Sequence, residues 1–223
     1  MKKVITLAAL VFASVAGFAQ MKPQAGDSSI GIDATPFLTY AGGLLSNAGA
    51  TAPSFVGTAD NPIAITMKQM RTDDMAIVTR VGFGITSNRV EDLVGDETLT
   101  NKFSFDLFGG LEKRRGEGRI VGLARAGVAI SQTANADGNI DVSGVNATET
   151  KGGNTFAAGA GLGLGLEYFI APMVSLEGRY DATIGFSSTS ERETDGNVIE
   201  AKSSSFGLAT NPTGSLILHF WFR

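Results

Sequence analysis

Apolar and polar positions alternate along this chain with a period of two, in long stretches. The clearest runs over Thr155–Phe169, where Phe156, Ala158, Ala160, Leu162, Leu164, Leu166 and Tyr168 alternate with Ala157, Gly159, Gly161, Gly163, Gly165 and Glu167. Such a period predicts a strand, because successive side chains of a strand point to opposite faces, whereas a helix gathers apolar residues at i, i+3 and i+4. Seven further stretches read the same way: Ser29–Tyr40, Ile63–Met70, Met75–Thr86, Lys102–Lys113, Arg119–Ser131, Met173–Ser187 and a closing stretch. In the last, Leu216, Leu218, Phe220 and Phe222 alternate with Ser215, Ile217, His219 and Trp221. The polar faces carry Asp33, Lys68, Arg80, Asp106, Glu112, Arg125, Glu167, Glu177, Arg179 and Asp181, interleaved with glycine.

The breaks between stretches are of two kinds, and the kinds alternate. Tight breaks fall at Arg71–Asp74, Arg114–Gly118 and Ala171-Pro172; long polar ones cover 42–62, 87–101, 132–154 and 188–203. Strands of ten or more residues exceed the usual globular length of about five or six and match the roughly 9–11 that a tilted strand needs to cross a bilayer. The expected fold is all-β, an eight-stranded antiparallel up-and-down transmembrane β-barrel. The tight turns and both ends lie on the periplasmic side, and four long loops point out of the cell. A soluble lipocalin-like barrel or β-sandwich would alternate too, with its apolar side chains inside. The strand length, a secretory signal pattern at the N-terminus and Gly159, Gly161, Gly163 and Gly165 together decide against it: outside, these glycines would leave a bare surface, whereas in a narrow lumen they make room for long Arg and Glu side chains.

Composition sharpens this picture. Charged residues make up 18%, below the roughly 25% of soluble domains. Beyond residue 20 no run of eighteen apolar residues occurs, so no transmembrane helix is expected, and a closed barrel is the remaining way to span a membrane. Lys2 and Lys3, the apolar run Val4–Val15 and the small residues of Ala16-Gly17-Phe18-Ala19 form the pattern of a secretory signal peptide over residues 1–19. Residues 20–223 are then one barrel domain beginning at Gln20. Without Lys2 and Lys3 that domain holds 16 basic and 22 acidic side chains, a net charge of −6 with no basic stripe, which excludes nucleic acid as a partner. The absence of Cys excludes disulfides, zinc-thiolate sites and cysteine nucleophiles.

The run Asp33-Ala34-Thr35-Pro36-Phe37-Leu38-Thr39-Tyr40-Ala41-Gly42, the Phe220-Trp221-Phe222 ending and the eight-strand layout resemble the small OmpA/OmpX-type outer-membrane barrels, and among them the porin-like proteins of Bacteroidetes-type bacteria. The resemblance implies a Gram-negative outer membrane, contact with its lipid and lipopolysaccharide, and insertion from the periplasm by the barrel-assembly machinery. It implies no single activity. Two features depart from the family: Arg223 follows the aromatic ending, and no peptidoglycan-binding domain follows the barrel.

Candidate chemistry is sparse. His219, the single histidine, falls on the lumen face and reads as a polar residue bonded to a carboxylate rather than as a Ser-His-Asp base. Gly161-Leu162-Gly163-Leu164-Gly165 lacks the helix that a dinucleotide loop requires. Asp92, Asp96 and Glu97 fit no calcium-loop spacing. No catalytic, cofactor-binding or metal-binding residue is assigned and no cofactor is expected. The lumen charges are expected to pair into a plug, Arg80, Arg125 and Arg179 against Asp106, Glu112, Glu167, Glu177 and Asp181. The function expected is that of a non-enzymatic envelope scaffold presenting four extracellular loops, whose partner no motif identifies. The alternatives are a narrow-pore porin and, further off, a lipid-modifying barrel enzyme. Leu164→Arg is expected to block assembly, and Gly163→Ala, adding only a methyl to the lumen, to be tolerated.

Overall fold

The computed structural model describes residues 22–34, 62–91, 97–140, 148–210 and 215–223. The signal-peptide reading, the segment Thr35–Gly42 of the family resemblance, the first long break, and Asp92 and Asp96 lie outside them. The strands are β1 (Ser28–Asp33), β2 (Ile63–Thr72), β3 (Met75–Glu91), β4 (Glu97–Arg115), β5 (Ile120–Ile140), β6 (Thr148–Gly152), β7 (Thr155–Ala171), β8 (Val174–Thr189), β9 (Arg192–Thr194), β10 (Asn197–Glu200), β11 (Ser203–Thr210) and β12 (Ser215–Phe222). Every pairing is antiparallel, and β1 to β5 each pair with the next strand in the chain, as β7 does with β8. β5 pairs β7 along Ile120–Thr133 and β6 along Ala136–Asn139, so β6 and β7 are two parts of one stave. β8 likewise pairs β12 along its first half and β11 along its second. β1 pairs both β2 and β12, which closes the sheet into a ring of eight staves.

Closure leaves no edge within the ring, and the alternation sends one face in and the other out. Lumen-facing residues are the buried ones: Thr66, Lys68 and Met70 on β2, Glu112 and Arg114 on β4, Glu167 and Phe169 on β7, Ser175, Glu177 and Arg179 on β8, His219 and Trp221 on β12. The opposite face is apolar and open, with Leu164 69%, Leu166 62%, Ile85 63% and Phe206 73% exposed. Within the strands the two faces are as expected, including β5, where Arg125 and Gly127 point in and Ile120, Ala124, Ala126, Val128 and Ile130 point out.

The long breaks differ from expectation. Residues 87–91 and 97–101 are not loop: β3 and β4 stay paired to Glu91↔Glu97. β5 continues to Ile140, and β9 and β10 form a hairpin that pairs with β6, whereas the eighth stave begins at Ser203, where the last long break is expected to end. The reason is physical. Alternation is visible only where one face meets apolar surroundings, and beyond Ile85, Phe103 and Ile130 the outward positions turn to Ser87, Asn101 and Gln132. On β4 the outward apolar positions therefore run from Phe103 to Leu111, about the length a tilted strand uses to cross a bilayer.

Candidate functional site: the filled lumen

The lumen is built in three levels. Beside the tight turns lies an apolar floor of Met70, Ala76, Val121, Leu123, Phe169 and Trp221, with Met173 packed against it. Pro172-Met173 makes the β7–β8 turn, and Met173 takes a positive φ of 64°. These inward apolar side chains interrupt the expected polar lumen; alternation puts Trp221 on the inner face with His219, but it does not mark an apolar floor there.

Above the floor is a network of buried charges. Lys68 sits at its centre, with Nζ 2.6 Å from Glu177 Oε2, 2.8 Å from Glu112 Oε1 and 3.8 Å from Glu167 Oε2. Arg114 bridges Glu112 at 3.0 Å and Glu167 at 2.6 Å, and its guanidinium lies 4.9 Å over the Trp221 ring. Arg179 donates to Glu177 at 3.1 Å and to Asp181 at 2.9 Å. Arg125 grips both oxygens of Asp181, at 3.0 and 2.5 Å. Ser175 donates to Glu167, and Trp221 Nε1 donates to Ser175 Oγ at 3.0 Å. Lys68, Arg114, Arg125 and Arg179 thus face Glu112, Glu167, Glu177 and Asp181. Desolvating an ion costs several kcal/mol, and a balanced, hydrogen-bonded cluster is the arrangement that offsets this.

The expected pairing of Arg80 with Asp106, at 3.5 Å, and of Arg125 and Arg179 with the carboxylates is present. Two members of the network go beyond the pairing expected from the sequence. Alternation puts Lys68 on the inner face without assigning it a partner, and it reads Arg114 as part of a turn. The strand instead runs through Arg115, the turn begins at Gly116, and Arg114 reaches into the lumen.

His219 is bonded on both ring nitrogens, Nε2 to Glu177 Oε2 at 2.9 Å and Nδ1 to Ser29 Oγ at 3.2 Å. A carboxylate accepts, so Nε2 donates to Glu177, and the Ser29 hydroxyl, which can donate or accept, partners Nδ1. Serine, histidine and carboxylate are thereby brought together as in a hydrolase, but Ser29 and His219 have 1% and 0% of their surface exposed. The group holds β1, β8 and β12 together where the ring closes. The ring of His219 lies over Gly31, where a Cβ would collide with it.

The glycines make room, as the sequence suggests, and more tightly than expected. A Cβ at Gly163 would run into the Asp181 carboxylate and stand 2.7 Å from Arg125 Nε; one at Gly82 would meet Asp106. Gly163→Ala is therefore not the mild change that alternation alone suggests, because the ion pair lies across that glycine. At the third level Phe108, another inward apolar residue that alternation does not mark, stacks 4.6 Å from the Arg125 guanidinium. Beyond this pair, toward the long hairpins, a cavity of about 470 Å³ is walled by small residues including Ala129, Gly159, Gly161 and Gly185.

Among the described residues no cluster of His, Asp and Glu is arranged to hold a metal ion, and no helix is long and apolar enough to cross a membrane. No protein-family model and no curated protein matches the chain. Solved structures are similar at low identity. Ail, the attachment invasion locus protein of Yersinia pestis, aligns at 10% identity and a TM-score of 0.42, over 89% of this chain and 99% of Ail. Ail in complex with the heparin analogue sucrose octasulfate aligns at 12% identity and a TM-score of 0.41, with the same coverage. A major outer membrane protein from Thermus thermophilus aligns at 14% identity and a TM-score of 0.44, over 89% of this chain and 100% of that one. At these values the likenesses fix neither family nor function. The fold assignment rests on the closed ring itself.

Proposed function

We propose that this protein is an outer-membrane β-barrel scaffold of a Gram-negative envelope, of the small OmpA/OmpX type, whose role is carried by the hairpins it raises above the membrane. One observation carries the reading: the barrel is inverted, with fully buried, mutually paired charges inside and a continuous exposed apolar wall outside. In water that wall would be an aggregation surface, because exposed apolar patches beyond a few hundred Å² are rare on soluble monomers. In lipid it is the required surface, and the closed ring satisfies the backbone. The apolar floor and ionic network leave the lumen filled, which favours a scaffold over a pore. The sealed Ser29–His219–Glu177 group favours a structural over a catalytic role. The strands continue past the apolar belt as paired hairpins, and loops on a rigid scaffold are where binding residues usually sit.

Cell fractionation tests this reading. The protein should co-sediment with outer membrane and migrate faster on a gel unboiled than boiled. Recovery as soluble periplasmic protein with no heat-dependent migration would contradict it.

A further inference from the structure

At the tight-turn end, across β2, β3 and β4, the outward face of the barrel changes from apolar to basic. On β4, Lys113 and Arg115 follow the open Leu111 in phase, and both are exposed. Arg115 is registered through Gly122 with Leu166, another open position of the apolar wall. On β2, a bulge inserts Arg71 beside Thr72, opposite Met75, and Met75 is in turn registered with Lys113. Lys113 is tied to Asp74 in the β2–β3 turn. Arg71 and Arg115 are exposed and have no hydrogen-bond or ion-pair partner among the described residues. The nearby carboxylates are largely engaged. Asp74 also accepts from Thr72, Asp73 accepts from the backbone N–H of Ala25, and the buried Asp27 faces Arg223 at 3.6 Å. Lys22 donates to the carbonyl of Gly116. At this end Lys22, Arg71, Lys113, Arg115, Arg119 and Arg223 thus stand against Asp27, Asp73, Asp74 and Glu117. At the other end of β3 and β4 the charges in phase with Ile85 and Phe103 are Arg89, Glu91 and Glu97, with no such excess of cations.

We propose that the corner formed by Arg71, Lys113 and Arg115 binds the headgroup of an anionic phospholipid in the leaflet that meets the tight turns. The proposal rests on the membrane reading above and gives that reading a specific lipid class. Neighbouring strands lie about 5 Å apart, so β2 and β4 are separated by about 10 Å. Long side chains from both can close on one phosphate, which a guanidinium meets with paired N–H donors. The wall selects an amphipathic ligand: its acyl chain continues along Leu111 and Leu166 while its phosphate stays at the rim. A soluble anion would use the cations and leave the wall unused. A zwitterionic headgroup brings its own cation toward the arginines and loses part of the attraction. A phosphodiester without that cation answers both the wall and the charge.

The test is native mass spectrometry of the full barrel released from detergent micelles that hold equimolar phosphatidylglycerol and phosphatidylcholine with the same acyl chains. The wild type should retain phosphatidylglycerol in preference to phosphatidylcholine. A cation beside a lipid surface is worth about fivefold in affinity. Arg71→Gln and Arg115→Gln should therefore each cut the preference about fivefold, and the double variant should abolish it. Replacing both arginines by lysine should keep most of it. Lys202→Gln removes the same charge from an exposed position between β10 and β11, at the far end, and should leave the preference unchanged. Equal retention of the two lipids by a folded wild type would overturn the proposal. So would a preference that survives the double Gln variant, or one lost in Lys202→Gln. A wild type that gives no heat-modifiable barrel would overturn the membrane reading, and this proposal with it.

Discussion

Removing the Lys68 ammonium would leave Glu112, Glu167 and Glu177 converging on a space with no cation at its centre. Breaking a buried ion pair by deleting one partner costs about 3–5 kcal/mol, because the other charges stay buried. Lys68→Ala should lose at least that much in a urea titration of the refolded barrel; a loss below about 1 kcal/mol would mean the carboxylates are otherwise compensated. A gentler probe of the same packing compares glycines. Gly163→Ala pushes on Asp181 and Arg125, whereas Gly109 faces outward with open space around its Cβ. The first should lower the unfolding midpoint and Gly109→Ala should leave it nearly unchanged. Outside the belt, Asp74 in the β2–β3 turn is held below its ordinary pKa of 3.8, first by the hydrogen bond from Lys113 and then by that from Thr72. A carboxyl whose folded pKa is depressed stabilises the fold above its unfolded value and loses that contribution as pH falls through the lower one. Stability below pH 3.8 should therefore fall less in Asp74→Asn than in wild type, by the small amount expected of an exposed pair. The face of Lys68 was legible because it shares its phase with Thr66 and alternates with Ile65 and Met67. Its three partners were not, because which residues meet across a lumen depends on how the ring closes. Arg114 and Phe108 escaped for related reasons: one sits beside a turn, and the other is apolar on an inward position.

At the level of strands, the belt positions were legible and the strand ends were not. Phe156 to Tyr168 alternate because one face meets apolar surroundings and the other a crowded lumen. Ser87–Glu91 and Glu97–Asn101 are equally strand, but apart from Val90 and Leu99 both of their faces are polar, so period two disappears from the sequence. One signal could have been found. Asp195-Gly196 carries positive φ at both residues, 51° and 77°, and links β9 to β10 in a two-residue turn. An Asp-Gly pair between extended segments is the strongest local mark of such a hairpin. The belt yields its own prediction. Leu164 lies mid-strand, 69% exposed, between Ala124 and Tyr180 on the neighbouring staves. Leu164→Arg should cost about 2–4 kcal/mol of membrane stability near the midplane. Heat-modifiable folded protein should drop in that variant. Normal yield would show that this face does not meet lipid.

For the whole molecule, the central claim is that the barrel is inside-out and closed. Burying four cations against four carboxylates makes sense only if the charges are balanced and water is kept away, and the apolar floor beneath them completes the seal. An eight-stranded ring is just wide enough for side chains to fill. Opening a water path would mean parting these pairs, at about 3–5 kcal/mol for each uncompensated charge. The most direct measurement is single-channel recording of the purified barrel in a planar bilayer, beside Arg179→Ala, which strips Glu177 and Asp181 of a shared partner and removes a large side chain. The wild type should be silent, with at most rare brief openings, and Arg179→Ala should leak more often. Steady, large, ohmic openings in the wild type would contradict the account.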